Sequence, residues 1–111
     1  MEIKVHVDAK MVADALSAAI EYGSTYWARY KSGKILKTCL GDIDHPIIIE
    51  DFEGGKTFEL SYIRIERGLK SMAEKSPKHF GDLIDPDGVS CDAFTYDALL
   101  QHCCFGELVY G

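Results

Sequence analysis

Hydrophobic residues recur along this chain with two different periods, and the first third shows both. Apolar and polar residues alternate over residues 2–7, which predicts a half-buried strand. The apolar positions then take helical spacing over residues 9–22, where Asp8 is a good N-cap and Gly23 is a residue that ends helices. Alternation returns over residues 26–30 and predicts a second strand.

The middle of the chain predicts a β-hairpin. Residues 46–52 and 57–60 are rich in strand-forming residues, and the segment 53–56, Glu-Gly-Gly-Lys, is typical of the turn between two antiparallel strands. The apolar segment 35–40 that precedes the hairpin is short. Its pattern fits a strand or a helical turn equally well, so both alternatives stay open.

A helical stripe after Ser61 predicts a helix with that serine as its cap. Gly68 lies inside this helix, where glycine costs about 1 kcal/mol relative to alanine. We therefore expect another backbone to pack closely against it. Ser76 and Pro77 are typical of the cap and first residue of a short helix over residues 77–84.

The C-terminal part predicts a turn over residues 85–88 and a last helix that extends to about Cys104 and ends at Gly106. Its cap is either Ser90 or Asp92. Leu108 and Tyr110 then predict a short final strand. The elements fit one α+β domain over residues 1–111, with a small antiparallel or mixed sheet and about three helices, in the order β-α-β-(β)-β-β-α-α-α-β.

Composition narrows the classes of function. The net charge of −6 disfavours nucleic acid as a partner, because both carry the same sign. No apolar run approaches the ~20 residues that a membrane helix needs, and no signal peptide is present, so we expect a cytoplasmic protein with no membrane partner. The four cysteines lack ligand spacing, which predicts reduced thiols without a metal or another cofactor.

Aromatic residues concentrate between Tyr22 and Tyr30, where the single tryptophan and three of the six tyrosines lie within nine residues. Alternation would place Tyr26 and Tyr30 on one face of the strand, and Trp27 and Arg29 on the other. One face would enter the core, and the other would be free to stack on a flat ligand or to form an interface. The sequence leaves open which face is buried.

Several titratable residues are candidates for chemistry. His79 and Asp82 share a helix face. They are either a general base with the carboxylate that orients it or a surface pair beside Lys78. Asp97 and Gln101 share another helix face. If Asp97 is buried, its charge needs a partner such as Arg64 or Arg67. Such a pair would be either a structural ion pair or the polar end of a ligand pocket. Cys103 and Cys104 lie at a helix C-terminus, which disfavours a nucleophilic thiolate.

Residues 42–59 hold six acids and one lysine. This stretch is either a solvated hairpin edge, whose charges block pairing with another sheet, or an acidic surface that docks on a basic protein. Its two adjacent glycines do not have the spacing of a phosphate-binding loop, so the turn predicts a hairpin and nothing more.

Three segments carry a resemblance to a family. Residues 19–27, residues 67–75 with residues 79–82, and residues 105–111 resemble small proteins encoded by tailed phages and prophages. The resemblance covers most of the chain and is weakest over residues 34–59. The family has no assigned activity, so the resemblance implies no catalytic residues, but it does imply a bacterial cytoplasm during infection as the setting.

The leading hypothesis is a phage accessory protein that binds, rather than an enzyme. It would counter antiviral defence by sequestering a small nucleotide signal, because stacked rings beside a guanidinium supply the contacts that a small nucleotide needs. We also expect a homo-oligomer, because one short chain offers little depth for a pocket. The alternatives are an inhibitor that binds a host defence protein through the acidic surface, a small hydrolase, and a structural phage component. The expected ligand-binding residues are Tyr22, Tyr26, Trp27, Arg29, Tyr30, Arg64 and Arg67.

Overall fold

The computed structural model describes residues 7–85, 87 and 91–111. Its elements confirm an α+β fold in which a three-stranded antiparallel sheet is combined with helices. In chain order they are α1 (Ala9–Ala18), a π-helical turn (Ala19–Gly23), β1 (Ala28–Ser32), α2 (Ile35–Cys39), β2 (Ile47–Asp51), β3 (Lys56–Leu60), α3 (Tyr62–Lys75), α4 (Pro77–Leu83) and α5 (Ala93–Phe105).

The sheet has the order β1-β2-β3, so each strand pairs with its neighbour in the sequence. The predicted hairpin is confirmed: Ile49 pairs with Phe58 across the β2–β3 ladder and with Tyr30 across the β1–β2 ladder. Ile47 and Ile49 are fully buried. The central strand therefore presents its alternate residues to the core, as period-two alternation requires.

Helix α5 is the central helix, because every residue from Asp97 to Cys104 is buried. Helix α3 packs against it at Gly68. A Cβ atom at position 68 would lie 2.7 Å from Cys103 Cα and 2.9 Å from Cys103 N, which is closer than real contacts allow. The expected close backbone at Gly68 is thus confirmed, and the missing side chain is what lets the two helices approach.

Three predicted helix caps are confirmed. Asp8 accepts a hydrogen bond from Lys10 N, Ser61 accepts one from Arg64 N, and Asp92 accepts one from Thr95 N. Each bond satisfies a backbone donor that lacks a partner within its own helix. Gly106 ends α5 in the left-handed conformation at φ +75°, which glycine adopts without steric cost.

The structure corrects several element predictions. The first helix widens into a π-helical turn at Ala19, and the ambiguous apolar segment is helix α2. The strand predicted over residues 26–30 begins at Ala28, and residues 107–111 do not form a strand. Residues 2–6 of the strand predicted over residues 2–7 lie outside the described part of the chain, and Val7 is not in a strand. The turn predicted over residues 85–88 lies partly outside the described part as well.

Among the described residues, no helix combines the length and the apolar character that crossing a bilayer requires.

Candidate functional site

The aromatic cluster between Tyr22 and Tyr30 is divided between core and surface. Trp27 is fully buried, whereas Tyr22, Tyr26 and Tyr30 each remain about half exposed. Trp27 lies before the first residue of β1, so strand alternation does not extend to it. The predicted face shared by Trp27 and Arg29 is therefore wrong, since Arg29 is exposed and Trp27 is inaccessible to a ligand.

The buried Trp27 belongs to a hydrogen-bond network around Asp97, which we call the Asp97 hub (Ser24, Tyr26, Trp27, Asp97 and Gln101). Ser24 Oγ and Trp27 Nε1 both donate to Asp97 Oδ1 at 2.7 Å. Gln101 Nε2 donates to Oδ2 at 2.9 Å, and the Tyr26 hydroxyl donates to the same oxygen. Both carboxylate oxygens are thus satisfied in a site where Asp97 is 7% exposed.

Neutral donors hold the Asp97 carboxylate, which corrects the expectation that Arg64 or Arg67 would pair with it. The Tyr26 hydroxyl points at this buried group although half of its side chain is exposed. Burial, followed by the hydrogen bond and charge of Asp97, raises the pKa of Tyr26 well above its usual value. The tyrosine therefore stays protonated at neutral pH and keeps donating to Asp97.

The last residues of the chain, 107–111, form a strap across the Asp97 hub. Gln101 Oε1 accepts hydrogen bonds from Val109 N at 2.7 Å and Tyr110 N at 2.9 Å, and Gln101 Nε2 donates to Tyr110 O at 3.0 Å. One amide side chain thus takes the place of a neighbouring strand. This is the physical reason why the predicted final strand is absent from the described residues.

Tyr110 fixes the strap at its far end. Its ring stacks on Trp27 with 5.5 Å between centroids, and its hydroxyl donates to Asp51 Oδ2 at 2.9 Å. Asp51 also accepts the backbone N–H groups of Glu53 and Gly54 in the hairpin turn. A single tyrosine therefore joins the C-terminal strap to the β2–β3 turn and closes the space over the tryptophan.

We expect Tyr110→Ala to lower the free energy of unfolding by about 3 kcal/mol, because the aromatic contact with the buried Trp27 and a hydrogen bond to a carboxylate are both lost. Tyr110→Phe keeps the ring and should lower it by a smaller amount, because only the hydrogen bond to Asp51 is lost. Urea titration followed by the fluorescence of Trp27 measures both values, and only the alanine variant should also shift the native emission to the red. Equal stability of Tyr110→Ala and wild type would show that the strap is not anchored.

Two of the three arginines expected in the site are occupied elsewhere. Arg64 donates to Cys103 O at 3.1 Å and to Cys104 O at 2.8 Å, so it satisfies carbonyls at the end of α5. Arg29 lies 3.3 Å from Glu50 Oε1 on the surface. Arg67 is exposed and forms no ion pair with any residue that the structure describes.

Arg67 lines a cleft of about 930 Å³ between α1, α2 and α3, which we call the α1–α3 cleft. Val12, Cys39 and Ile65 are buried residues of its wall, and Tyr62 and Lys70 are exposed beside Arg67. Glu66 contributes one acid to the lining, and the cleft also borders Val7, where the described part of the chain begins. An apolar wall with two cations at the opening is suited to a ring that carries a negative charge.

A second cavity of about 630 Å³ lies on the other side of Arg67. It shares the side chains of Ile63 and Arg67 with the α1–α3 cleft, and it reaches the C-terminal end of α5. Its polar lining includes Glu59, Ser61 and Arg64. Arg67 is thus within reach of a ligand in either cavity.

His102 lies between two serines in the core near this second cavity. Its Nδ1 is 3.1 Å from Ser71 Oγ and its Nε2 is 2.9 Å from Ser76 Oγ. Ser71 Oγ also donates to Gly106 O, so its proton is directed there and His102 Nδ1 is the donor to Ser71. Burial, together with the charges of Lys75 and His79, lowers the pKa of His102. A neutral imidazole thus connects the C-terminal end of α3 to the C-terminal end of α5.

The predicted pair of His79 and Asp82 is not formed among the described residues. Asp82 lies 3.5 Å from Lys78 instead, and His79 Nδ1 is buried without a hydrogen-bond partner there. The alternative interpretation, a surface pair of His79 and Asp82 beside Lys78, is not formed among the described residues either, because Asp82 lies next to Lys78. A histidine base oriented by Asp82 is not present in this arrangement.

Half of the acids in residues 42–59 are held within the chain. Asp42 lies 3.0 Å from His45 Nδ1, Glu50 pairs with Arg29, and Asp51 is buried under the hairpin turn. An acidic docking surface would therefore depend on the exposed remainder, which is Asp44, Glu53 and Glu59.

The four cysteines are free thiols, of which Cys39, Cys103 and Cys104 are buried and Cys91 is half-buried. Burial raises the pKa of Cys39 to about 11 and that of Cys104 to about 12, and it raises the pKa of Cys103 well above its usual value. A raised pKa leaves little thiolate near neutral pH, so these thiols are poor nucleophiles. The described residues contain no group of three His, Cys, Asp or Glu side chains that could hold a metal ion.

Sequence reasoning missed the contribution of Tyr62 and Lys70 to the α1–α3 cleft. The signal was present in α3, because Ile63, Arg67 and Lys70 recur at helical spacing and so lie on one face. What the pattern could not show was that α1 and α2 form the opposite wall.

No protein-family model, curated protein or solved structure matches this chain. The function is therefore inferred from the geometry of the site itself.

Proposed function

We propose that this protein acts by binding a small anionic ligand that carries a flat ring, with a nucleotide as the class, in the α1–α3 cleft. The observation that supports it is the cleft of about 930 Å³, in which an apolar wall meets Arg67 and Lys70 at the opening. Trp27 and Tyr26 donate to Asp97 within the hub, so these two aromatic residues supply structure rather than the stacking surface in this proposal.

The size and lining of the cleft suit such a ligand. Small-molecule pockets have volumes of ~300–1,000 Å³ and combine an apolar lining with a few polar groups that fix orientation. Val12 and Ile65 would remove ring surface from water, and the exposed ring of Tyr62 provides a flat partner at the edge. Glu66 could accept a hydrogen bond from an exocyclic amine or a sugar hydroxyl.

The charges at the opening favour an anion although the whole chain is acidic. Arg67 and Lys70 lie three residues apart on α3, so both reach the same side of the cleft. Neither has an ion-pair partner among the described residues, and both donors are thus available to a phosphate. A guanidinium can hold two phosphate oxygens at once, which fixes the orientation of the ligand.

The biological setting in the proposal rests on the resemblance to phage-encoded proteins. In that setting the ligand would be a nucleotide signal of bacterial antiviral defence, and the protein would remove it from the host cytoplasm by binding without transforming it. The homo-oligomer expected from the sequence stays a prediction, and size-exclusion chromatography with light scattering measures it.

We expect AMP at saturating concentration to raise the Tm of the protein by several degrees, because a ligand that binds the folded state stabilises it by mass action. Arg67→Gln should weaken binding by about tenfold or more, the loss of one charge-assisted hydrogen bond. Arg29→Gln is the matched control, since it removes an exposed arginine outside the cleft. Calorimetric titration gives the affinities, and chromatography of the released compound shows whether it is intact.

Three outcomes would contradict the proposal. Equal weakening by the two arginine variants would show that binding depends on overall charge. A changed compound in the released fraction would indicate an enzyme. Absence of any shift with nucleotides, together with co-purification of a host protein, would favour the inhibitor hypothesis, which Glu53→Gln and Glu59→Gln would then test.

A further inference from the structure

We infer that the ligand has two ring-bearing halves joined by phosphate, the dinucleotide class, and that it occupies both cavities with its phosphate at Arg67. This inference rests on the proposed function of the α1–α3 cleft and specifies its ligand. It is supported by the shared wall between the cavities and by the different chemistry on the two sides of that wall.

The wall consists of two side chains on one face of α3. Ile63 and Arg67 are four residues apart, so they lie one above the other on the helix surface. Both line the cleft of about 930 Å³ and the cavity of about 630 Å³. A ligand that bends over this wall would place its middle next to the guanidinium and one end in each cavity.

The volumes indicate a ligand with two parts. Each cavity by itself falls within the ~300–1,000 Å³ of small-molecule pockets. A mononucleotide bound in the α1–α3 cleft would leave the second cavity filled with water, and the contacts of that ligand would end at Arg67. A second nucleoside would use the second cavity, where Arg64 is engaged by carbonyls of α5 and Arg67 alone would hold the phosphate.

The second cavity is suited to an uncharged half rather than to further phosphates. Arg64 already directs two of its N–H groups to the carbonyls of Cys103 and Cys104, and those carbonyls form the negative end of α5. Glu59 adds a negative charge there, and it would accept hydrogen bonds from sugar hydroxyls. A nucleoside fits these groups, whereas the phosphate chain of a nucleoside triphosphate would be repelled by them.

The test compares three probes on the full chain by calorimetric titration: AMP, ATP and the dinucleotide ApA, which has one phosphate between two adenosines. We expect ApA to bind about tenfold or more tightly than AMP, because it adds a hydrogen bond to a carboxylate, and ATP to bind more weakly than ApA. Glu59→Gln should reduce the advantage of ApA over AMP severalfold and leave AMP unchanged. Glu53→Gln, an exposed acid of the same hairpin, is the matched control.

The outcomes separate this inference from the proposed function. If AMP binds as tightly as ApA, or if ATP binds more tightly than ApA, the second cavity is not a nucleoside site and the inference fails, while the proposed function of the cleft stands. An ApA advantage that Glu59→Gln and Glu53→Gln reduce equally would also overturn it. If none of the three probes binds, the proposed function fails and the inference fails with it.

Discussion

Replacing Asp97 with alanine is expected to lower the free energy of unfolding by about 4 kcal/mol, because it removes the acceptor of a buried network. Ser24, Trp27 and Gln101 would each keep a buried donor that has lost its partner. An unsatisfied buried group costs about 1–3 kcal/mol, and the half-exposed Tyr26 can turn to water. Water that enters the space left by the Asp97 side chain would offset part of the total loss of stability.

A graded variant and a control make this result interpretable. Asp97→Asn keeps the volume but exchanges one acceptor oxygen for a donor, so we expect a loss of about 2 kcal/mol. Asp14→Ala removes an exposed aspartate that is paired with Lys10 on α1, and it should change stability by less than about 0.5 kcal/mol. Urea unfolding by circular dichroism gives all three values. A loss below about 1 kcal/mol for Asp97→Ala would show that the hub does not hold the fold.

Gly68→Val should be the second severe variant, with a loss of at least about 3 kcal/mol. Its Cβ would lie 2.7 Å from Cys103 Cα, and the backbone of α5 cannot move aside as a side chain would. The helices α3 and α5 would have to separate, which disturbs the packing around both. The gain in helix propensity from replacing glycine is below about 1 kcal/mol and does not offset this cost.

Gly81→Val is the matched control for this substitution. Gly81 lies in helix α4, and a Cβ atom there would meet no atom within 4 Å. We expect it to be neutral within about 0.5 kcal/mol. Similar melting temperatures for Gly68→Val and Gly81→Val would mean that α3 and α5 do not approach as closely as Gly68 indicates. If Gly68→Val fails to fold, Gly68→Ala should fold with a melting temperature below that of the wild type.

The elements that depend on neighbouring residues could be predicted from the sequence. The hairpin of β2 and β3 is set by its glycine turn and its β-branched residues, and the caps at Asp8 and Ser61 act within their own helices. The strap of residues 107–111 could not be predicted in the same way. Its apolar alternation resembles a strand, but its partner is a glutamine side chain on α5.

In the candidate site, too, some features follow from neighbouring residues and others depend on contacts between residues far apart in the sequence. Arg67 was expected in a site because arginines beside aromatic residues bind phosphate, but the aromatic partner in the cleft is Tyr62 rather than Trp27. The burial of Trp27 depends on Asp97, which lies 70 residues away in the sequence. No local sequence pattern indicates such a contact, so which aromatic residue is buried could be decided only from the folded structure.

That separation along the chain also has a kinetic consequence. The hydrogen bonds from Ser24, Tyr26 and Trp27 to Asp97 join residues 70–73 positions apart, whereas the sheet is built from strands that are neighbours in the sequence. Closing a long loop has an entropic cost before its contacts form, so we expect the Asp97 hub to assemble after the folding transition state. Stability lost at Asp97 would then appear as faster unfolding in stopped-flow experiments, with the folding rate nearly unchanged. The hub would thus determine how long the native state lasts rather than how quickly it is reached.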